Sequence, residues 1–556
     1  MNKKQWTYKN IDNSVCEQIM NEKKFSKLVS IVYHNRMDIF EDDVEGTVYD
    51  PFLLKDMKKA TERINFAVEN NEHITIYGDY DADGVTSTSI LYMYLKQIGA
   101  GVDFYIPDRV DEGYGINATA LDKIKSGGTK LIITVDTGIS AIDDVAYATE
   151  LGIDVIITDH HECGENKPNC CAVIDPKQPD CEYPFKELAG VGVVFKLITA
   201  LNGNGDLAPL IKKYMPLVCL GTIADVAPLI KENRAFVIMG LKHFSNNENE
   251  GINALLQTTN LIGKQITSGN IGFIIAPRIN AAGRLGSANK SVELFLCNDK
   301  DRALNIATEL SSENILRQTL EKEIFNQAIE IIEKENLNND KIIVVANSGW
   351  HHGVIGIVSS KITEKYYKPS ILISIDGDTA KASGRSISNF NLFNALNHVS
   401  DTLIRFGGHS LAAGLSIETA KIERFRKKIN KYADEILTSS DFVQSLNIDY
   451  DVEAQDLTVK NVEELKCLEP YGMGNPAPVF SITNAQIKSV TTVSDGKHLK
   501  LNIDKNSKNI EVIGFFLGDY IRYLRIGDRI SVAGTLDINN FRDENKIQMI
   551  IRDMVK

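Results

Sequence analysis

The run Tyr77-Gly78-Asp79-Tyr80-Asp81-Ala82-Asp83-Gly84 sets three carboxylates at alternate positions just past the apolar run from His73 to Tyr77. Carboxylates this close repel one another, so bound cations or raised pKa values must neutralise them. An oxygen-rich cage of this kind suits a hard divalent ion. A solvated turn accounts for the same residues, because Asp and Gly are common turn formers.

Two later runs separate these readings. Lys130–Val135 is β-branched and ends at Asp136-Thr137-Gly138, while Ile153–Thr158 ends at Asp159-His160-His161. Segments of helical length, Ala118–Lys125 and Ile139–Leu151, lie between the runs, which predicts a β-α-β arrangement of buried parallel strands. Ligands of such sheets bind beyond the carboxyl ends of the strands. Clusters roughly 80 positions apart would therefore meet in one crevice, which favours a metal cage over solvated turns. Carboxylates with imidazoles suit manganese, magnesium or zinc, and shared aspartates suit two ions about 3.5–4 Å apart.

With 556 residues the chain suits several domains, each able to bury its own core. The start, MNKKQWTYKN, has no apolar signal core, and no run of about 18 apolar residues follows, which predicts a cytoplasmic protein with no membrane association. The eight cysteines then need no disulfide role. Cys163, Cys170, Cys171 and Cys181 crowd one loop but lack paired zinc-knuckle spacing. A net charge of −13 argues against tight non-specific duplex binding and leaves any nucleic-acid contact to local basic grooves.

Five regions are expected: a polar, partly helical extension over 1–50, an α/β domain over 51–298, a connecting helix over 299–340, a smaller α/β domain over 341–444, and short strands over 445–556. Helical periodicity from Asp299 to Asn336 supports the connector. The runs Ile342–Ala346 and Ile371–Ser374 read as strands of the smaller domain. Leu499–Ile503, Glu511–Phe516, Ile530–Leu536 and Ile547–Ile551 read as strands of a small barrel or sandwich.

The GDYDADG run, Asp136, Asp159-His160-His161 and Gly221-Thr222-Ile223-Ala224-Asp225 together resemble the four motifs of the DHH phosphoesterase superfamily. Pro277-Arg278-Ile279-Asn280-Ala281-Ala282-Gly283-Arg284 narrows the resemblance to its bacterial exonucleases specific for single-stranded DNA. The likeness continues through Gly349–Gly356, Ser383–Ser386, Gly407-Gly408-His409 and Glu469–Pro476, covering nearly the whole chain. It implies an α/β fold of a DHH catalytic domain and a DHH-associated domain joined by a long helix, with a carboxyl-terminal OB-fold β-barrel.

The same resemblance implies two divalent metal ions, Mn2+ or Mg2+, held by Asp79, Asp81, Asp83, Asp136, His160 and Asp225, with Asp136 a candidate bridge. Asp159 would orient an imidazole, and His161 would face the scissile phosphate as a polarising or proton donor. The implied reaction is 5′→3′ removal of mononucleotides during recombination and repair. Single-stranded DNA, a single-strand-binding protein and a RecQ-type helicase are the implied partners of a monomer.

Guanidinium forks match phosphate oxygens, so Arg278, Arg284 and Arg385, with Arg109 in support, are phosphate candidates beside Ser383 and His409. Asn280, Gly407 and Gly408 join them as expected substrate contacts. Tyr77, Tyr80, Tyr114 and Trp350 are candidate stacking surfaces for bases. Three rival readings stand beside the exonuclease: a hydrolase of small phosphodiesters or pyrophosphate, a non-catalytic replication scaffold, and a membrane-tethered signalling phosphodiesterase.

Overall fold

The computed structural model describes residues 4–40, 48–108, 112–113, 115–539 and 545–556. They divide into two compact units. One holds the described residues from 48 to Thr319 together with Pro470–Asn475. Its centre is a five-stranded parallel sheet in the order Val102–Tyr105, Ile74–Gly78, Leu131–Val135, Asp154–Thr158, Ala172–Ile174. The three middle strands are apolar and buried apart from Asp154, as strands covered on both faces must be.

After Ile74–Gly78 the chain moves to one edge of this sheet, then returns to Leu131–Val135 on the other side. The reversal opens a crevice beyond the carboxyl ends of these two strands. Asp79 and Asp136 are the residues that follow them. Helix Ala82–Gln97 crosses from the first strand and packs against Gly190–Asn202 and Ala208–Ala224.

The other unit contains the amino-terminal residues, Leu320–Glu469 and Pro476–Lys556. A five-stranded mixed sheet runs Arg405–Gly408, Ala412–Glu418, Thr379–Arg385, Ser370–Asp376, Ile343–Ser348, with only the last two parallel. Five further strands form a barrel: Phe480–Val493, His498–Lys505, Lys508–Gly514, Lys546–Val555 and Arg529–Asn539, the last pairing back onto the first. Closure removes the free edges, which is the logic of the OB fold. A 35-residue helix, Lys300–Lys334, contributes to both units.

Two expectations change. The amino-terminal residues are more than a polar extension: Gln5–Tyr8 pairs in parallel with Ser445–Ile448, and helix Lys27–His34 buries Leu28, Val29, Ile31 and Val32. Their polar composition concealed short helices, Asn13–Lys23 and Lys27–His34, that bury apolar side chains. The region expected as one run of short strands over 445–556 divides differently: Pro470–Asn475 belongs with the parallel-sheet unit. There Met473 accepts the Leu229 N–H at 2.7 Å and Pro470 accepts from Arg234 at 3.2 Å.

Candidate metal centre

Each strand end delivers its side chains by a definite local device. Asp81 is the N-cap of helix Ala82–Gln97, its Oδ1 accepting the N–H groups of Asp83 at 2.9 Å and Gly84 at 3.1 Å. Asp83 thus lies inside the first turn, where its two oxygens accept the N–H groups of Gly190 and Val191, each at 2.8 Å. Those donors open helix Gly190–Asn202, whose positive end steadies the carboxylate. Asp136 adopts φ 59°, a region uncommon for non-glycine residues, and its N–H is held by the Thr158 carbonyl at 3.0 Å.

Three groups of ligand atoms each lie within 4.8 Å: Asp79, Asp81 and Asp136; Asp83, His160 and Asp225; and Asp136, His160 and His161. All six expected ligands therefore converge, with Asp136 and His160 shared between groups. Asp225 arrives from the end of helix Ala208–Ala224, far along the chain. Close approach demands glycine nearby: a Cβ on Gly190 would stand 2.7 Å from Asp136 Oδ1, and one on Gly221 would stand 2.9 Å from Asp83 Oδ1.

The electrostatics are those of a cage short of positive charge. Burial, then Asp81, pushes Asp83 up to about 7. Burial and the surrounding carboxylates likewise raise Asp136 and Asp225 well above the ordinary range. Burial and the neighbouring His161 hold His160 down to about 3, so its imidazole is neutral. Its Nε2 nevertheless stands 3.1 Å from Asp136 Oδ1, and neither buried atom has a hydrogen-bond partner. Two buried polar atoms left without a partner at that distance fit a site for a divalent cation.

Asp159 orients His161 rather than the ligand-type His160. Its Oδ1 meets His161 Nδ1 at 2.7 Å, and its Oδ2 accepts the Ile139 N–H at 2.9 Å. Burial opposes charge on His161, but the Asp159 hydrogen bond and charge outweigh it and lift the imidazole to about 9.

Other expected contacts fare differently. Asn280 Oδ1 accepts the Ala82 N–H at 2.7 Å, so this side chain braces the acidic loop. Arg278 donates to the Ile274 carbonyl and to Ser311 Oγ, the latter at 3.2 Å. Arg284 closes the same helix, Ala276–Leu285, half-buried. Tyr77 and Trp350 are buried, bonded to the Gly115 carbonyl at 3.0 Å and to Gln327 at 2.8 Å, so neither is a stacking surface. Arg109 and Tyr114 lie outside the described residues.

In the mixed sheet, Ser383 and Gly407 face the same residue, Gly414, from either side of strand Ala412–Glu418. Arg385 pairs with Ala412, whose carbonyl accepts the His409 N–H at 2.8 Å. A Cβ on Gly356 would lie 3.0 Å from Ser383 Oγ and 3.3 Å from Arg385 Nη2, and one on Gly408, at φ 139°, would meet the Ala412 carbonyl at 2.4 Å. The fold thus gathers Ser383, Arg385, Gly407, Gly408 and His409 on adjacent rungs. The cysteines are all free, and no cysteine joins a ligand group among the described residues.

Strand-end carboxylates and a histidine pair at the switch point of a parallel sheet define a DHH-type domain, and the model of the DHH family, N-terminal domain, matches residues 73–222. The DHHA1 domain model matches 339–435, and the RecJ OB domain model matches 448–553. The chain belongs to the RecJ family. A single-stranded-DNA-specific exonuclease RecJ of Salmonella typhimurium is 34% identical, with 90% of each chain covered. Its namesake in Bacillus subtilis is 42% identical over 93% of this chain, which spans only 65% of that relative. The crystal structure of RecJ in complex with Mn2+ from Thermus thermophilus superposes with a TM-score of 0.85 at 30% identity, covering 99% of this chain and 79% of that one.

Proposed function

We propose that the chain is a metal-dependent exonuclease that degrades single-stranded DNA from its 5′ end and releases mononucleotides. The observation that carries this reading is the convergence of six ligand-type side chains around Asp136 Oδ1 and His160 Nε2, two buried atoms without a hydrogen-bond partner and only 3.1 Å apart. Asp79, Asp81, Asp83, Asp136, His160 and Asp225 would hold two divalent ions, Mn2+ or Mg2+. Such ions supply Lewis acidity and a bound water of lowered pKa for in-line displacement at phosphorus.

The chain's own residues do the rest. Asp83, tied to the Gly190 and Val191 N–H groups, fixes one wall of the cage. Asp159 holds His161 by Nδ1, so contact with a phosphate oxygen or with the departing oxygen falls to Nε2. Ser383, Arg385, the Gly407-Gly408 backbone and His409 form an anion site for a terminal 5′ phosphate. The barrel holds more distant nucleotides, the usual work of an OB fold. No helix among the described residues is long and apolar enough to cross a membrane. The enzyme acts as a cytoplasmic monomer in recombination and repair, on strands opened by a RecQ-type helicase and covered by a single-strand-binding protein.

Strands labelled at either end, offered with Mn2+ or Mg2+ as single-stranded or duplex DNA and as RNA, test the reading. Mononucleotides should leave from the 5′ end of single-stranded DNA alone. Release from the 3′ end, or cleavage confined to dinucleotides, would refute it. Arg385→Ala should erase most of the preference for a 5′ phosphate over a 5′ hydroxyl, a loss of about 1.5–3 kcal/mol for a charge-assisted contact. Equal losses on both substrates would make Arg385 a general backbone contact.

A further inference from the structure

Among the described phenylalanines of the parallel-sheet unit, Phe273 stands furthest out in water, 86% exposed against 51% for Phe52 and 53% for Phe66. It lies in Ile271–Ile275, a π-helical segment, between the buried side chains of Ile271 and Ile275. The segment is fastened on both sides. Thr267 and Asn270 form a reciprocal capping box before it, and the Ser268 hydroxyl donates to the Tyr471 carbonyl at 2.6 Å. Beyond it, Arg278 bonds the Ile274 carbonyl and Ser311. π-helical turns are rare, and many fall at functional sites.

The neighbourhood connects this ring to the metal centre. A Cβ on Gly272 would touch Ile223 Cγ2 at 3.4 Å, and Ile223 lies in the last turn of the helix that ends at Asp225. The next residue, Val226, is β-branched, sits at φ 60° and is 58% exposed. A β-branched side chain in that conformation is an outlier, and such strain gathers where a site needs a side chain held in place. The exposed ring thus lies on a segment that packs beside the helix end carrying Asp225, and the strained Val226 follows that carboxylate in the chain.

We propose that Phe273 is the shelf on which a nucleobase stacks as its nucleotide enters the metal centre. This rests on the exonuclease reading, in which the base is the one apolar planar group the substrate carries. Carboxylates and ions grip only phosphate, so they leave the nucleotide free to rotate about its backbone. A stacked base removes that freedom. Every base has a π-face, so the shelf serves all four alike, as a nuclease that removes successive nucleotides requires. Phe273 is accordingly a positioning residue.

The test uses the full chain with Mn2+ and compares Phe273→Ala and Phe273→Trp on strands that are intact or abasic at single positions near the 5′ end. In the wild type, removing the base at one position should raise KM on the order of tenfold. Phe273→Ala should show that rise already on intact DNA, with kcat nearly unchanged, and should no longer respond to the abasic site. Phe273→Trp should behave as the wild type. If Phe273→Ala leaves KM unchanged, or lowers turnover equally on intact and abasic strands, the shelf is wrong while the exonuclease stands. A wild type that does not degrade single strands overturns both.

Discussion

Asp136 is buried and faces repulsion from Asp83, Asp81, Asp225 and Asp79. Its left-handed backbone and the close approach of Gly190 hold it there regardless. Asp136→Asn should therefore stabilise the metal-free protein while abolishing hydrolysis. Thermal melts separate these effects. Mn2+ at about 100 times its Kd should raise the wild-type Tm on the order of 5–10 °C, and the variant should lose that rise. A variant that keeps both the shift and the turnover would remove Asp136 from the ligand set. This residue was legible because an Asp directly after a buried parallel strand has few other roles. The N–H donors of Gly190 and Val191 were not, since backbone donors have no residue-type signature.

The pairing of Gln5–Tyr8 with Ser445–Ile448 joins segments from opposite ends of the chain. Beside it Arg36 meets Asp449 at 3.1 Å and donates to the Pro476 carbonyl, with both side chains nearly buried. Arg36→Ala should destabilise this unit by about 3 kcal/mol, near the low end for breaking a buried pair. The Val479 N–H at 2.9 Å and Asn35 at 3.5 Å still bond the Asp449 carboxylate and limit the loss. Denaturant unfolding measures this, and a cost below about 1 kcal/mol would make the amino-terminal helices peripheral. Long periodic elements such as Lys300–Lys334 could be read directly. Strand Phe480–Val493 could not, because its exposed half mixes polar and apolar residues without strict alternation.

The placement of Pro470–Asn475 in the parallel-sheet unit decides where the chain can be cut. Truncation at Ser445 removes that segment, including the Met473 carbonyl that accepts the Leu229 N–H, and should destabilise the metal-bearing unit. A chain ending near Val479 keeps it and loses only the barrel strands. That shorter chain should still cut very short oligonucleotides. It should bind long strands more weakly, and each lost phosphate contact should reduce the salt slope by about 0.7. Unchanged affinity and slope would make the barrel structural, or a docking site for another protein.

Local chemistry in the sequence determined the alternation of strands and helices, the acidic and histidine residues at three strand ends, the long helix and a barrel-like carboxyl-terminal region. These depend on residues near one another in the chain, where periodicity and turn chemistry act. Tertiary structure decided what depends on distant approach. It brought Asp225 to His160, placed the Asp159 hydrogen bond on His161, and turned Asn280 and Arg278 toward the backbone. It also left Phe273 in water, although the apolar run Ile271-Gly272-Phe273-Ile274-Ile275 reads as core. Which face of such a run meets a neighbour is set by elements scores of residues away, and no local pattern records it.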